Sequence, residues 1–336
     1  MTAGSGDGPR FLSAADVAAA MPPLEERLRL AERTLTALAD GSAELPPKIA
    51  VHPRPEGAFA HAMPAHLRAP GETASGDLLG IKWIAGFPAN RAAGLPSLHG
   101  LVILSDPSTG APRAILDAGP ITAERTAAVS GVAIGRFAPP VRGRSPRAAI
   151  LGAGVQGRSH LPVLGRLLPG VELAVYDRHP DRALALADEA ASVPGIGSAS
   201  AVATARDATS SADVVVTAAS FAPAAERQTL TIDWLAPEAL VVAVDYSTYV
   251  AASVARAAAL FLTDQREQFL ANRDAGNFDG YPDPGATLGE AILAATPRPA
   301  GRVLVSHLGV GLADLVFADA ILRRAEEAGL GIVLPG

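Results

Sequence analysis

The sequence predicts an α/β protein in which an N-terminal α+β unit is followed by a doubly wound, Rossmann-type unit. Three observations carry this. Ahead of Arg147, short strand-like runs are broken by Pro and Gly, the texture of a mainly antiparallel sheet. From Arg147 onward, short runs that are apolar on both faces alternate with Ala-rich helical stretches, as in a parallel sheet covered on both sides. The first of these runs leads into Gly152-Ala153-Gly154-Val155-Gln156-Gly157, a glycine pattern of the kind that joins a strand to a helix.

The elements follow in order. The first ten residues, MTAGSGDGPR, are polar and Gly-rich and are expected to form a disordered tail. DVAAAM and LEERLRLAERTLTALAD read as helix, the second with Leu24, Leu28, Ala31, Leu35 and Leu38 at helical spacing and Gly41 as its stop. KIAVH, FAHAM, LLGIKWIAG, HGLVILSD and RAILDAG read as strands, and SDPSTGAP as a hairpin turn. TAERTAAVSGVAIGRFA then reads as an apolar helix, with Thr122 as its N-cap and Glu124 near its positive end. AAILGAG, VELAVYD, DVVVTAAS, ALVVAVDYS, AALFLTD and RVLVSHLG supply the strands of the second unit. A helix from Leu312 to Ala328 comes last, and its residues alone allow it to return to either unit.

Composition narrows the classes of function. The chain has 336 residues, 49% hydrophobic and 18% charged, enough for two domains with a sizeable core. A net charge of −6 without a Lys/Arg cluster argues against nucleic acid as a partner. With no cysteine, a disulfide framework, a thiolate nucleophile and a Cys-ligated metal are excluded, and no metal is expected. No apolar run reaches the ~18 residues of a membrane span. The N-terminus also lacks the basic and apolar regions of a signal peptide, so a cytoplasmic location and no membrane partner are expected.

The glycine pattern has a physical reading. Gly152 permits the tight turn, Gly154 lets a pyrophosphate approach the backbone, and Gly157 allows close packing of helix on strand. The helix N-terminus offers N–H donors to the phosphate. A second strand ends in Asp177, twenty positions beyond Gly157, placed to accept hydrogen bonds from the adenosine ribose. A carboxylate there favours NAD over NADP, although Arg178 and His179 follow and could take a 2′-phosphate, so NADP stays open.

Three charged residues stand out elsewhere. Lys82 lies in a strand among apolar neighbours, either snorkelling from an edge or serving a ligand. Arg125 falls on the first turn of an apolar helix, where a cation opposes the helix dipole; it is either solvated or held for an anion. Asp245 ends the apolar run ALVVAVD at the carboxyl edge of the sheet, where doubly wound folds bind ligands; it is otherwise an ordinary turn former. Arg and Lys can hold an α-carboxylate, and an Asp can take a proton from an amine or activate water.

The runs HAMPA, IKWIAGFPANRAAGLPS, GLVILSDPSTGAPRAILDAGPITAERTAA, ILGAGVQGRSH, DVVVTA, VAVD and GVGLADLVFADAILRRAEEAGLG resemble the ornithine cyclodeaminase/mu-crystallin family over nearly the whole chain from about residue 45. The resemblance implies a substrate-binding and dimerisation domain of residues 1–125 and 311–336, with the NAD(P)-binding domain, 126–310, inserted between them, and a homodimer. It places Lys82 and Arg125 at the α-carboxylate, Lys82 also in the chemistry, and Asp245 as general acid/base. Ser97, Thr126, Val155, Gln156, Thr217 and Val310 fall at cofactor positions beside Gly152, Gly154, Gly157, Asp177 and Arg178.

Three departures from the family matter. Lys48 stands where cyclodeaminases carry Arg, and Lys cannot make a bidentate fork. His61 stands where they carry a Glu that can hold the distal amine of ornithine. The family's Gly-Lys pair after the catalytic Asp is replaced by Tyr246-Ser247. The expected activity is therefore that of an NAD(P)-dependent amino-acid dehydrogenase or imine (ketimine) reductase working at Cα of a small amino or imino acid. A redox-neutral cyclodeaminase and a cofactor-binding protein without turnover are the alternatives.

Overall fold

In the computed structural model, which describes residues 8–71, 73–74 and 76–335, the chain divides after Arg125 and again after Gly309. One unit is Met1–Arg125 with Val310–Gly336, the other Thr126–Gly309.

The first unit begins with β1 (Arg10–Leu12), α1 (Ala14–Ala19), α2 (Leu24–Ala39), β2 (Ala43–Glu44), β3 (Ile49–Val51), β4 (Phe59–Leu67), β5 (Leu78–Gly86), β6 (Leu98–Ser105) and β7 (Pro112–Asp117). Ser13 and Asp16 close a reciprocal capping box that starts α1. The hairpin turn between β6 and β7 is built as its composition implies. The Asp106 carboxylate accepts from the backbone N–H groups of Ser108 and Thr109, and Gly110 takes a positive φ.

Three local expectations are corrected. Residues 1–7 of the expected tail lie outside the described residues, but Arg10–Leu12 is a strand, parallel to β7 with Phe11 opposite Ile115. Three residues are too few to show periodicity, and this strand exists because it is paired on both sides. The FAHAM strand runs on through Pro64. Pro lacks an N–H, yet β3 pairs with residues 60–62 and β2 with 66–67, so, among the described residues, 63–65 have no ladder partner on that side. The apolar helix, α3, is Ala118–Phe137 and begins four residues before Thr122. Gly119-Pro120 reads as a breaker, but Pro is tolerated in a first turn, where its N–H would be unpaired. Thr122 is thus inside the helix, donating to the Ala118 carbonyl, and Arg125 is in the third turn and buried.

The second unit carries β8 (Arg147–Leu151), α4 (Val155–Leu167), β9 (Val171–Tyr176), α5 (Pro180–Ala190), β10 (Ile196–Ala201), α6 (Ala205–Thr209), β11 (Val214–Thr217), β12 (Leu240–Ala243), α7 (Ala252–Ala257), β13 (Leu260–Thr263), α8 (Arg266–Asp274), β14 (Ala286–Thr287), α9 (Leu288–Leu293) and β15 (Val303–Ser306). Its strands form one sheet in the order β10-β9-β8-β11-β12-β15-β13-β14, every pair parallel. The order reverses between β8 and β11, the crevice at which open sheets of this class bind ligands.

The chain then returns to the first unit as α10 (Gly311–Glu327) and β16 (Ile332–Val333). α10 lies on β4, β5 and β6, with α2 packed against it. Small residues allow the close approach. A Cβ on Gly311 would meet the Met63 carbonyl at 2.7 Å, and one on Gly80 would meet Leu315 at 3.3 Å. The opposite face of this sheet is apolar from strand to strand. One row runs Ile49–Ala62–Trp83–Leu101 and another Pro64–Ile81–Ile103–Ile115–Phe11–Ile332. Trp83 is 45% exposed and Ile49 60%.

Candidate active site

In the first unit the pleat of the sheet decides which side chains meet. Lys82 on β5 stands opposite Met63 on β4 and Val102 on β6, on the face covered by α10. It is 1% exposed. Its ammonium donates to Thr122 Oγ1 at 2.7 Å and to Asp314 Oδ1 at 2.8 Å. Arg125, 5% exposed, donates through Nε to the same oxygen at 3.3 Å. Asp314, in the first turn of α10, is fully buried, and its Oδ2 has no hydrogen-bond partner among the described residues. Burial pushes the Lys82 ammonium down to about 8; the Asp314 charge opposes this, while Arg125 and Lys48 add to it. Two cations and one carboxylate leave the cluster one positive charge in excess, which suits a single anionic group.

Asp314 carries no mark in the sequence reading. An acid in a helix's first turn is ordinary. The available signal was that Lys82 and Arg125 both lie in apolar surroundings, and two buried cations need an anion. His61 leaves the same face, two positions from Met63, and its ring stacks on Phe59 at 4.6 Å. Burial, then Lys48, His52 and Lys82, push its imidazole down to about 4, so it is neutral at pH 7. Lys48, half-buried just ahead of β3, is near enough to act on both His61 and Lys82. Ser97 precedes β6, its carbonyl accepting from Phe87 N–H, and Val310 is the buried N-cap of α10.

In the second unit the glycine turn sits at the β8/β11 reversal. Gly152 has φ +112°, and a Cβ there would come within 2.5 Å of the Ala218 carbonyl oxygen. A Cβ on Gly157 would come within 2.2 Å of the Gly152 carbonyl oxygen. Beside Gly154, the N-cap of α4, a Cβ would meet nothing within 4 Å. The turn is therefore closed against its own strand and helix and open where the backbone faces outward. Val155 is exposed in the first turn, and Gln156 behind it offers its carbonyl to His160 Nδ1. Asp177 receives the backbone N–H groups of Ala153 and His179, which fixes its carboxylate beside the glycine turn, and Arg178 next to it is exposed.

Asp245 follows β12 and is 3% exposed. Thr217 Oγ1 donates to its Oδ1 at 2.6 Å, and Ala219 N–H to its Oδ2 at 3.2 Å. Thr217, read from sequence as a cofactor residue, thus has its hydroxyl committed to Asp245. Segment 217–219 joins the two features, since it also packs on Gly152. Burial pushes Asp245 up to about 7, against the lowering effect of those hydrogen bonds. Tyr246 after it has φ +59°, a conformation that favours glycine. Thr126, buried in α3, is the first residue of this unit. Among the described residues no group of three or more His, Cys, Asp or Glu could hold a metal ion.

A doubly wound unit with a glycine turn at its switch point, carried by a chain whose other unit buries a Lys–Arg–Asp cluster, defines a class of two-part α/β proteins of the dinucleotide-binding kind. The chain belongs to the ornithine cyclodeaminase/mu-crystallin family, whose model matches residues 9–328. It is 34% identical to the nodulation efficiency protein NfeD of Rhizobium meliloti, over 97% of this chain and 98% of that protein. It is 30% identical to the ketimine reductase mu-crystallin of Mus musculus, over 93% of this chain and 96% of that one. A solved structure of Thermococcus litoralis Δ1-pyrroline-2-carboxylate reductase, in complex with NADH and L-proline, superposes with a TM-score of 0.83 at 25% identity, covering 97% of this chain and all of that one.

Proposed function

We propose that this protein is an NAD-dependent oxidoreductase acting at Cα of a small amino or imino acid, as an amino-acid dehydrogenase or, in reverse, an imine (ketimine) reductase. The observation that carries the reading is Asp245: a buried carboxyl held near neutrality at the carboxyl edge of the sheet and tied through residues 217–219 to the glycine turn. The NADH-bound pyrroline-2-carboxylate reductase and the ketimine reductase mu-crystallin support it.

The residues present fit the nucleotide. The open backbone at Gly154 and the N–H groups of the first turn of α4 suit a pyrophosphate. Asp177 is oriented to take ribose hydroxyls and disfavours a 2′-phosphate. A bound nicotinamide accepts or supplies the hydride exchanged at Cα. Lys82 and Arg125 hold the α-carboxylate and orient Cα–H, with Thr122 and Asp314 fixing the Lys82 ammonium. Asp245 takes a proton from the substrate nitrogen in oxidation and returns it in reduction, and it positions the water that attacks the imine. The balance is amino acid, NAD⁺ and water against oxo acid, ammonium, NADH and a proton. The apolar outer face of the first unit's sheet supports a homodimer.

Fluorescence titration with NADH and NADPH, paired with turnover of Asp245→Asn, tests this reading. Tight NADH binding in both proteins is expected, with NADPH weaker and turnover of the variant reduced by roughly 10²–10⁴-fold. Unchanged turnover in the variant would remove Asp245 from the chemistry. Binding without any turnover in the wild type would leave a ligand-binding protein.

A further inference from the structure

The buried cluster of the first unit holds more than an α-carboxylate needs. Asp314 Oδ1 accepts from both cations, from Lys82 at 2.8 Å and from Arg125 at 3.3 Å. The other oxygen of the same carboxyl group, Oδ2, is buried and accepts from no donor among the described residues. A buried carboxylate oxygen without a donor is rare and costly, and a ligand that brings an N–H would satisfy it. The two cations keep donors in reserve. Lys82 commits two of its three N–H groups, to Thr122 and Asp314. Among the described residues Arg125 commits its Nε alone. Its two terminal nitrogens, unlike Asp314 Oδ2, are not sealed from solvent, so the cluster opens at the guanidinium. Spare cationic donors and a spare carboxylate acceptor thus belong to one group of three side chains, and an α-amino acid carries its carboxylate and its nitrogen on one carbon.

We propose that Asp314 binds the substrate nitrogen: its Oδ1 holds Lys82 and Arg125, and its Oδ2 accepts an N–H of the α-amino or imino group. The proposal rests on the oxidoreductase reading above and adds the residue that recognises the nitrogen. When Cα gives up its hydride to NAD⁺, the nitrogen lone pair becomes the second C–N bond and the nitrogen takes up the positive charge. A carboxylate oxygen on its N–H stabilises that charge as it forms. In reduction the same contact favours the protonated imine, the form that accepts hydride. A 2-oxo acid brings an oxygen lone pair to this place, and an acid without the nitrogen leaves Oδ2 unpaired. Charge alone gives the opposite order, because the one excess positive charge of the cluster favours a plain carboxylate anion over a zwitterion. A preference for the amino acid therefore reports on Oδ2.

The test is isothermal titration calorimetry of the NADH-loaded protein without ammonium, conditions in which neither oxidation of an amino acid nor amination of an oxo acid proceeds. L-Alanine, L-norvaline and L-proline are compared with propionate, valerate and cyclopentanecarboxylate, and with pyruvate and 2-oxovalerate. For each carbon framework that binds, the wild type is expected to hold the amino acid roughly tenfold or more tighter than the acid lacking the nitrogen. Asp314→Asn keeps an oxygen for Lys82 and turns an NH2 donor to the place of Oδ2. It is expected to lose the preference for amino acids and to favour the 2-oxo acids, with NADH titration checking that it is folded. Equal or weaker binding of the amino acids in the wild type overturns the inference, whether or not the variant folds. So does an unchanged preference, or a parallel loss of all three classes, in the folded variant. Each of these results leaves the α-carboxylate reading of Lys82 and Arg125 standing, whereas no binding of any acid overturns both.

Discussion

Asp314 holds the first unit's cluster together, because one carboxylate oxygen serves two buried cations. Removing it leaves Lys82 and Arg125 without their anion in a site almost closed to water. Asp314→Asn is expected to lower stability by roughly 3–5 kcal/mol in urea unfolding. It should also shift the Lys82 titration to lower pH, since Asp314 is what opposes desolvation there. In the proposed direction of amino-acid oxidation, Asp245 acts deprotonated and Lys82 protonated. The kcat/KM profile is therefore expected to rise near pH 7 and fall near pH 8. Lys82→Arg, whose guanidinium does not titrate in this range, should abolish the alkaline fall. Asp245 also marks the pH dependence of folding. The folded carboxyl keeps its proton to about pH 7, whereas an unfolded one loses it near 4. The folded state therefore binds more protons across that window and loses stability as pH rises through it. Asp245→Asn should remove that slope in a series of urea titrations. These roles were only half legible in the sequence. Lys82, Arg125 and Asp245 were visible as charges in apolar runs, but Asp314 was masked by the commonness of acids in first helical turns.

At the scale of elements, the anchoring of α4 comes from a buried chain of polar groups. His160 Nδ1 faces the Gln156 carbonyl at 2.6 Å, so that nitrogen carries the proton. Its Nε2, 2.8 Å from Ser130 Oγ, then accepts from the hydroxyl, and Ser130 in turn accepts from His307 Nε2 at 2.9 Å. Burial pushes His160 down to about 4, consistent with the neutral ring this polarity requires. The chain ties the glycine-turn helix to α3 and to the residue after β15. Ser130→Ala strands an acceptor on His160 and a donor on His307, and is expected to cost about 2–4 kcal/mol in thermal or urea unfolding. A loss below ~0.5 kcal/mol would mean that water replaces the hydroxyl. Elements long enough to show a period were legible: α2, β5 and the strands of the parallel sheet appear where the sequence places them. Those that depend on distant partners were not. β1 is stabilised by β7 and β16, β4 passes through Pro64 because its neighbours leave a gap there, and α3 starts at Ala118 because a first turn tolerates Pro120.

For the whole molecule, the sequence made the α/β class and the parallel second sheet plain, because period-two and both-face apolar runs are local signals. Which unit the last helix joins was not legible from its residues, since an apolar helix fits either; α10 lies on β4–β6 because Gly80 and Gly311 make room for it. The apolar outer face of that sheet bears on assembly. A homodimer built on it should dissociate when a charge enters the row Ile49–Ala62–Trp83–Leu101. On the proposed dimer, the wild type is expected to sediment as a dimer in analytical ultracentrifugation and Trp83→Arg as a monomer at the same concentrations. A dimeric variant would place the contact elsewhere.

The central claim is net oxidation and reduction at Cα, and the most direct measurement is stoichiometric. The protein is incubated with NAD⁺ and a panel of L-amino acids including aspartate, glutamate, alanine, ornithine and lysine, while NADH and released ammonia are followed together. One NADH per ammonia is the expected result. Ammonia released without net NADH would contradict the claim and make the protein a cyclodeaminase.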